Sequence, residues 1–68
     1  MADIAKVITV IGSSNESFAK AADAAVQEAA KTVRDIHGAD VVSMSAVVEN
    51  DHISVYRTTV NIAFGVES

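Results

Sequence analysis

The alternation of apolar and polar positions along the chain predicts the element order β-α-β-β. A β-branched apolar segment at residues 7–11 precedes Gly12 and indicates a first strand. From about residue 16 to residue 36, apolar residues recur at intervals of three and four, the repeat of an amphipathic helix. The expected apolar stripe of that helix comprises Phe18, Ala22, Ala25, Val26, Ala29, Val33 and Ile36.

From Val41 the repeat changes to two, which indicates two strands joined at Asn50-Asp51. In the last strand, we assign the face with Tyr56, Thr58, Val60, Ile62 and Phe64 to the helix side. The preceding strand has Val42, Met44, Ala46 and Val48 on one face. The opposite faces are more apolar than a solvated surface usually is, and we interpret them as an assembly surface. The apolar residues assigned to that surface are Val41, Val47, Ile53 and Val55.

Short polar motifs mark the expected ends of the helix. Ser13 and Glu16 have capping-box spacing, and Ser14 is a second candidate cap. Gly38 suits the position after the last helical turn, where His37 would complement the helix dipole. Together these patterns predict an α+β fold with one long helix.

The size of the chain makes oligomerisation an expected source of stability. Its 68 residues form one predicted domain, residues 1–68. A domain of this size buries only about 60% of its unfolded surface. The chain contains no cysteine, half of its residues are hydrophobic, and its mean hydropathy is +0.30. Disulfides and thiolate metal sites are therefore excluded as stabilising elements.

The net charge of the chain argues against two classes of binding partner. A net charge of −4 with only 5 basic residues argues against nucleic acid and against anionic membrane surfaces. No apolar segment approaches the roughly 20 residues that span a bilayer. The first six residues lack a signal-peptide pattern, so we expect a cytoplasmic protein.

The candidate catalytic and phosphate-binding motifs lack the features that such chemistry requires. Ser13 and Ser14 have no constraining G-x-S-x-G context, so helix capping is the favoured interpretation and no enzyme is predicted. Gly12 could open an anion-binding turn, but neither the lysine of a P-loop nor the second glycine of a Rossmann turn follows it.

Two other groups of residues are candidates for ligand binding. Glu49 and Asp51 offer oxygen ligands for a metal at the expected hairpin tip, although Asn50-Asp51 also suits a tight turn. Arg57 lies mid-strand on the face away from the helix. Its guanidinium could pair with a carboxylate across an interface or bind an anionic or planar ligand.

Three segments of the sequence resemble the dodecins, and the match extends over residues 5–66. These segments are KVITVIGSS at 6–14, AAKTVR at 29–34 and VNIAF at 60–64. The resemblance implies a helix lying across a three-stranded antiparallel sheet. It also implies a hollow shell of twelve copies that binds flavins as stacked pairs at twofold axes, without catalysis.

The chain departs from the flavin-binding dodecins at the positions that the resemblance assigns to the ligand. The flavin-stacking tryptophan is replaced by Gly38, the aromatic after it by Ala39, and the glutamine at the ring edge by Arg57. An arginine early in the second strand is replaced by Ser45. These replacements resemble a tryptophan-less branch for which calcium binding is described. A lost stack removes roughly 1–3 kcal/mol per ring, so flavin binding should be weaker.

The combined prediction is a homododecamer that stores a small ligand. The expected ligand is a flavin (riboflavin, FMN or FAD) bound by His37, Gly38, Val47 and Arg57. Alternatives are a flavin-free member that binds calcium, through Glu49 and Asp51, or another anionic cofactor such as coenzyme A. A purely structural assembly is a third possibility.

Overall fold

The computed structural model describes the backbone of residues 4–66 and the side chains of residues 4–65. The elements follow the order β1 (Ile4–Ser14), α1 (Phe18–Ala29), β2 (Ile36–Glu49) and β3 (His52–Val66). β3 is the central strand and pairs antiparallel with both β1 and β2. The predicted β-α-β-β order and α+β class are thus confirmed. Within the described range, no helix is long and apolar enough to cross a membrane.

Helix α1 begins at Phe18, two residues beyond the predicted capping motif. Ser17 is the N-cap, and its hydroxyl accepts a hydrogen bond from the backbone N–H of Lys20 at 3.0 Å. The hydroxyl of Ser14 accepts from the N–H of Glu16 in the preceding turn, at 3.0 Å. The predicted capping box at Ser13 is wrong, because Ser13 is still part of β1.

The predicted end of the helix is also wrong, since α1 stops at Ala29 rather than near Ile36. The chain turns after the helix and reaches Asp35, whose φ of 61° lies in the left-handed region. The carbonyl of Asp35 accepts a hydrogen bond from the N–H of Gly65 at 3.1 Å, which fixes the entry into β2. Ile36 fits the apolar repeat of the predicted helix because it packs against the same core, although it lies in strand β2. Gly38 lies within β2 and does not end the helix.

The core lies between α1 and the strands β1 and β3. Ala21, Ala25 and Ala29 are the buried residues of the helix. The predicted stripe included Ala25 and Ala29 correctly but contained Ala22 in place of Ala21. The helix side of β3 is confirmed, because Val60 and Ile62 are essentially fully buried. Ile8, Val10, Val26 and Ile36 complete this core.

A buried hydroxyl links the start of the helix to the central strand. Thr58 is only 1% exposed, and its Oγ1 donates a hydrogen bond to the backbone oxygen of Phe18 at 2.9 Å. The hydroxyl is thereby satisfied in the core, where an unpaired polar group would be costly. The contact holds the first turn of α1 against β3.

A β-bulge overturns the predicted orientation of Val41. Val41 lies opposite Val60, whereas Ser43 lies opposite Thr59, so Val42 is an extra residue in β2. Residues opposite each other in an antiparallel pair point to the same face. Val41 therefore lies on the helix side of the sheet, not on the predicted assembly face.

A second bulge overturns the predicted orientation of Ile53. Val47 lies opposite Val55 and Val48 lies opposite Ile53, so Ser54 is the extra residue in β3. β2 carries no insertion at this point, and its residues 47 and 48 alternate between faces. Val48 and its partner Ile53 therefore share the helix side. Val47 and Val55 remain on the opposite side, as predicted.

The helix is too short to cover the whole sheet. Twelve residues span about 18 Å, whereas the 14 residues of β2 extend over about 46 Å. Part of the helix side is consequently open, and we call its apolar residues the uncovered strip. They are 42–63% exposed and comprise Val41, Met44, Val48 and Ile53.

The hairpin between β2 and β3 matches the sequence prediction. Asn50 and Asp51 form the turn and have φ values of 52° and 65°. Positive φ at both central residues is the geometry of a type I′ turn, which matches the twist of the two strands. Asn and Asp tolerate this region better than most residues. The preference of Asn and Asp for this turn thus predicts the position of the hairpin correctly.

We expect Gly12→Ala to lower the free energy of unfolding by about 2–3 kcal/mol. A Cβ at Gly12 would collide with the backbone oxygen of Ala21 and lie 2.9 Å from the backbone nitrogen of Ala25. Gly38→Ala is the matched control, because its Cβ would meet nothing closer than Ala63 Cβ at 4.0 Å. Chemical denaturation at equal protein concentration measures both variants. Equal midpoints for the two variants would contradict the close contact.

We expect Ser17→Ala to lower the free energy of unfolding by about 1 kcal/mol, since it removes the N-cap acceptor. Ser13→Ala should change it by less than about 0.5 kcal/mol, because Ser13 is an exposed strand residue. Thermal denaturation followed by circular dichroism compares the two. A larger loss for Ser13→Ala would restore the capping box predicted from the sequence.

Candidate functional site

The face of the sheet away from α1 holds the candidate ligand-binding residues, and we call it the open face. Because Thr58, Val60 and Ile62 point toward the helix, the alternate residues of β3 point away from it. The register then assigns the opposite residues of β1 and β2 to the same face. Its central residues are Thr9, Ile11, Ser13, Asp40, Ser43, Ser45, Val47, Val55, Arg57, Thr59 and Asn61.

Arg57 lies at the centre of a row that crosses all three strands. Ser13 of β1 is directly opposite it on one side, and Ser45 of β2 is directly opposite it on the other. All three residues are exposed. Residues directly opposite each other have Cβ atoms about 4.5–5.5 Å apart, so both hydroxyls flank the arginine. A guanidinium between two hydroxyl groups presents hydrogen-bond donors to an anion.

The next row toward the hairpin tip is apolar. Val47 and Val55 lie opposite each other there, and both are half-buried. On the other side of Arg57, Thr59 is flanked by Ile11 and Ser43. The open face therefore joins a cationic row to an apolar row, a combination suited to a ligand with a charged end and an uncharged body.

The four residues predicted to contact a flavin fall into two separate groups. Val47 and Arg57 are near neighbours on the open face. Gly38 lies opposite Ala63, which is six residues along β3 from Arg57, a separation of about 20 Å. His37 is the extra residue of a third bulge, beside Gly38. One chain alone does not bring these groups together, so a common site would require a second copy.

A hydrogen bond on the open face was missed by the sequence analysis. Thr9 Oγ1 donates to Asn61 Oδ1 at 2.7 Å, which fixes the orientation of the amide. Asp40 lies opposite Asn61 on the other neighbouring strand. Thr9 and Asn61 are 52 residues apart, and no local pattern pairs them. Only the register between β1 and β3 could have revealed this contact.

The residues at the hairpin tip do not form a closed metal site in one chain. Glu49 lies opposite His52, and Asp51 lies in the turn between them. The Nδ1 atom of His52 is 3.1 Å from the backbone oxygen of Asn50. Among residues 4–66, no group of three or more His, Cys, Asp or Glu side chains is arranged to hold a metal ion.

The aromatic residues all lie on the helix side of the sheet. Phe18 and Tyr56 contact each other edge to face, with ring centroids 4.9 Å apart and planes at 81°. Phe64 lies opposite Ile36 of β2 and Lys6 of β1, on the same side. These rings serve packing, and the described part of the open face carries no aromatic platform for a flat ligand.

The family model described as Dodecin matches residues 4–67 of the chain. Several solved structures have folds similar to that of this chain. A dodecin from Streptomyces coelicolor has a TM-score of 0.93 at 22% identity, covering 100% of this chain and 99% of its own. A dodecin from Streptomyces davaonensis has a TM-score of 0.91 at 18% identity, covering 96% of each chain. At these identities the similarity establishes the fold alone.

A more similar sequence belongs to a protein from Mycobacterium tuberculosis that is described as a calcium-chelating immunodominant antigen, calcium dodecin, with a novel calcium-binding site. It is 34% identical, covers 96% of this chain and 93% of its own, and has a TM-score of 0.83. Among curated proteins, none matches this chain.

Proposed function

Because the chain belongs to the dodecin family, we propose that it is a non-catalytic protein that stores a flavin, riboflavin or FMN, in a hollow homododecamer. The observation that carries this proposal is the open face, where Arg57 adjoins the apolar pair Val47 and Val55. His37 and Gly38 of a neighbouring copy would complete the site. The family relationship supports a small ligand, and the two rows of the open face are compatible with a flavin.

Assembly is supported by the apolar surface that one chain leaves open. The uncovered strip lies on the helix side, and Val7 and Ile11 of β1 are 60% and 63% exposed on the open face. Both sides of the sheet therefore expose large apolar residues, which favours burial against other copies. The buried helix residues are all alanines, so the core of one chain supplies little apolar volume.

A non-catalytic role is supported by the surroundings of the two candidate nucleophiles. The hydroxyl oxygen of Ser14 accepts hydrogen bonds from the N–H groups of Glu16 and Ser17, at 3.0 and 3.5 Å. Ser13 lies opposite Arg57, whose guanidinium only donates hydrogen bonds and cannot act as a general base. Neither serine is paired with a group that could remove its proton.

Calcium is a second candidate ligand, because the 34% identical protein is a calcium dodecin. Glu49 and Asp51 at the hairpin tip offer carboxylate oxygens, the ligands that calcium prefers. Each chain carries a net charge of −4, which attracts cations to an assembly. In this alternative, carboxylates from several copies would meet at a symmetry axis. Coenzyme A, another anionic cofactor, and a purely structural shell are further outcomes that the same experiments separate.

Native mass spectrometry tests assembly and flavin binding together. We expect a twelvefold mass, with adducts of riboflavin or FMN when either is added. Gly38→Trp should raise flavin affinity by roughly one order of magnitude or more, since a stacked ring contributes about 1–3 kcal/mol. Gly38→Ala is its control. A monomer or dimer would contradict the assembly, and a twelvefold mass without flavin in either form would contradict the flavin assignment.

Thermal denaturation with calcium tests the second candidate. If Glu49 and Asp51 bind calcium, the melting temperature should rise with calcium concentration and return to its starting value with a chelator. Glu49→Gln and Asp51→Asn should each weaken this response. Asp23→Asn, an exposed helix substitution, removes the same charge elsewhere and serves as the control. An equal calcium response in all four proteins would exclude the hairpin tip.

A further inference from the structure

The row formed by Ser13, Arg57 and Ser45 is arranged as a donor set for an oxyanion. Its three residues come from three strands and share one exposed face. A guanidinium carries N–H groups in a planar fork that matches two oxygens of a phosphate. A serine hydroxyl on each side can donate to the remaining oxygens. Thr59 and Ser43 in the adjoining row add two more hydroxyl groups.

Among the described residues, no carboxylate forms an ion pair with Arg57. The two ion pairs among the described residues are both on or beside the helix, Glu16 with Lys20 and Glu28 with Lys31. The nearest carboxylates of the open face are those of Asp40, which lies opposite Asn61, and Glu49, which lies four residues along β2 from Ser45. Asn61 is likewise four residues along β3 from Arg57, so each offset is about 13 Å. This distance exceeds the Debye length of about 8 Å at physiological ionic strength.

The groups that surround Arg57 also indicate which class of anion it would bind. A carboxylate from another copy could also accept hydrogen bonds from the guanidinium and both hydroxyls, through the lone pairs of its two oxygens. A phosphomonoester has three terminal oxygens and a charge of about −1.5 to −2, so it offers the row more acceptors and a stronger electrostatic attraction. The apolar pair Val47 and Val55 lies directly beside the row. Together these features favour a phosphorylated molecule whose uncharged part covers the valines.

We propose that the Ser13–Arg57–Ser45 row binds the phosphate group of a phosphomonoester ligand. The protein therefore selects the phosphorylated form of its ligand over the uncharged form. The identity of the rest of the ligand rests on the proposed storage function, whereas the binding of the phosphate group does not. For flavins, the row favours FMN over riboflavin.

The first experiment uses inorganic phosphate as the probe. The melting temperature of the full chain is measured against phosphate concentration, with sodium chloride holding the ionic strength constant. Phosphate should raise it in the wild type and leave it unchanged in Arg57→Gln. Arg34→Gln is the matched control, because Arg34 is the other arginine of the chain, is exposed and lies outside the sheet. It removes the same charge and should keep the phosphate response.

The second experiment compares FMN with riboflavin by fluorescence titration. The wild type and Arg34→Gln should bind FMN at least tenfold more tightly than riboflavin. Arg57→Gln should reduce this ratio to about one, because FMN loses a phosphate contact that riboflavin does not make. Ser13→Ala combined with Ser45→Ala should give an intermediate ratio if the hydroxyls also donate.

The outcomes separate this inference from the proposed function. A phosphate response that requires Arg57, without binding of either flavin, would support the oxyanion site and reject flavin storage. Equal binding of the two flavins, with no phosphate response, would support storage and reject the oxyanion site. If Arg57→Gln lowers the native mass while Arg34→Gln does not, Arg57 forms an ion pair between copies. That result would overturn the inference.

Discussion

The close packing of α1 on the sheet is the constraint on which the rest of the structure depends. The helix presents alanines to the sheet, and Gly12 of β1 meets the helix backbone with no space for a Cβ. Such an approach lets a short helix bury Val60 and Ile62 almost completely. It also limits the core, because small side chains remove less apolar surface from water than large ones. This close contact thus fixes the position of the helix while burying little apolar volume.

The small core has a direct consequence for the surface. A helix of 12 residues covers β1 and β3 but leaves the outer part of the β2–β3 hairpin without a layer on either side. The uncovered strip therefore remains exposed on the helix side, while the open face carries the ligand candidates. The exposed apolar residues and the separated candidate residues both support the proposed assembly with other copies of the chain. Small domains commonly gain stability by oligomerisation.

The candidate ligand-binding residues are far apart because the sheet is much longer than the helix. A sheet about 46 Å long holds His37 and Gly38 near one end and Glu49 and Asp51 near the other. Arg57 lies between them with its serine neighbours. Side chains so far apart on one flat surface form no common pocket. In the proposed assembly, an enclosed site that joins these residues is built between surfaces of different copies. Residue types alone suggested these candidates, and the register between the strands shows how far apart they lie.

The sequence by itself determined the features that arise from local geometry. It predicted the element order, the Asn50-Asp51 turn and the helix side of β3, because strand alternation and turn preferences act over a few neighbouring residues. The tertiary structure decided the end of α1, the face of Val41 and Ile53, and the rows around Arg57 and Asn61. Each of these depends on register between distant strands, where one inserted residue reverses a face. The periodicity of the chain does not encode that register.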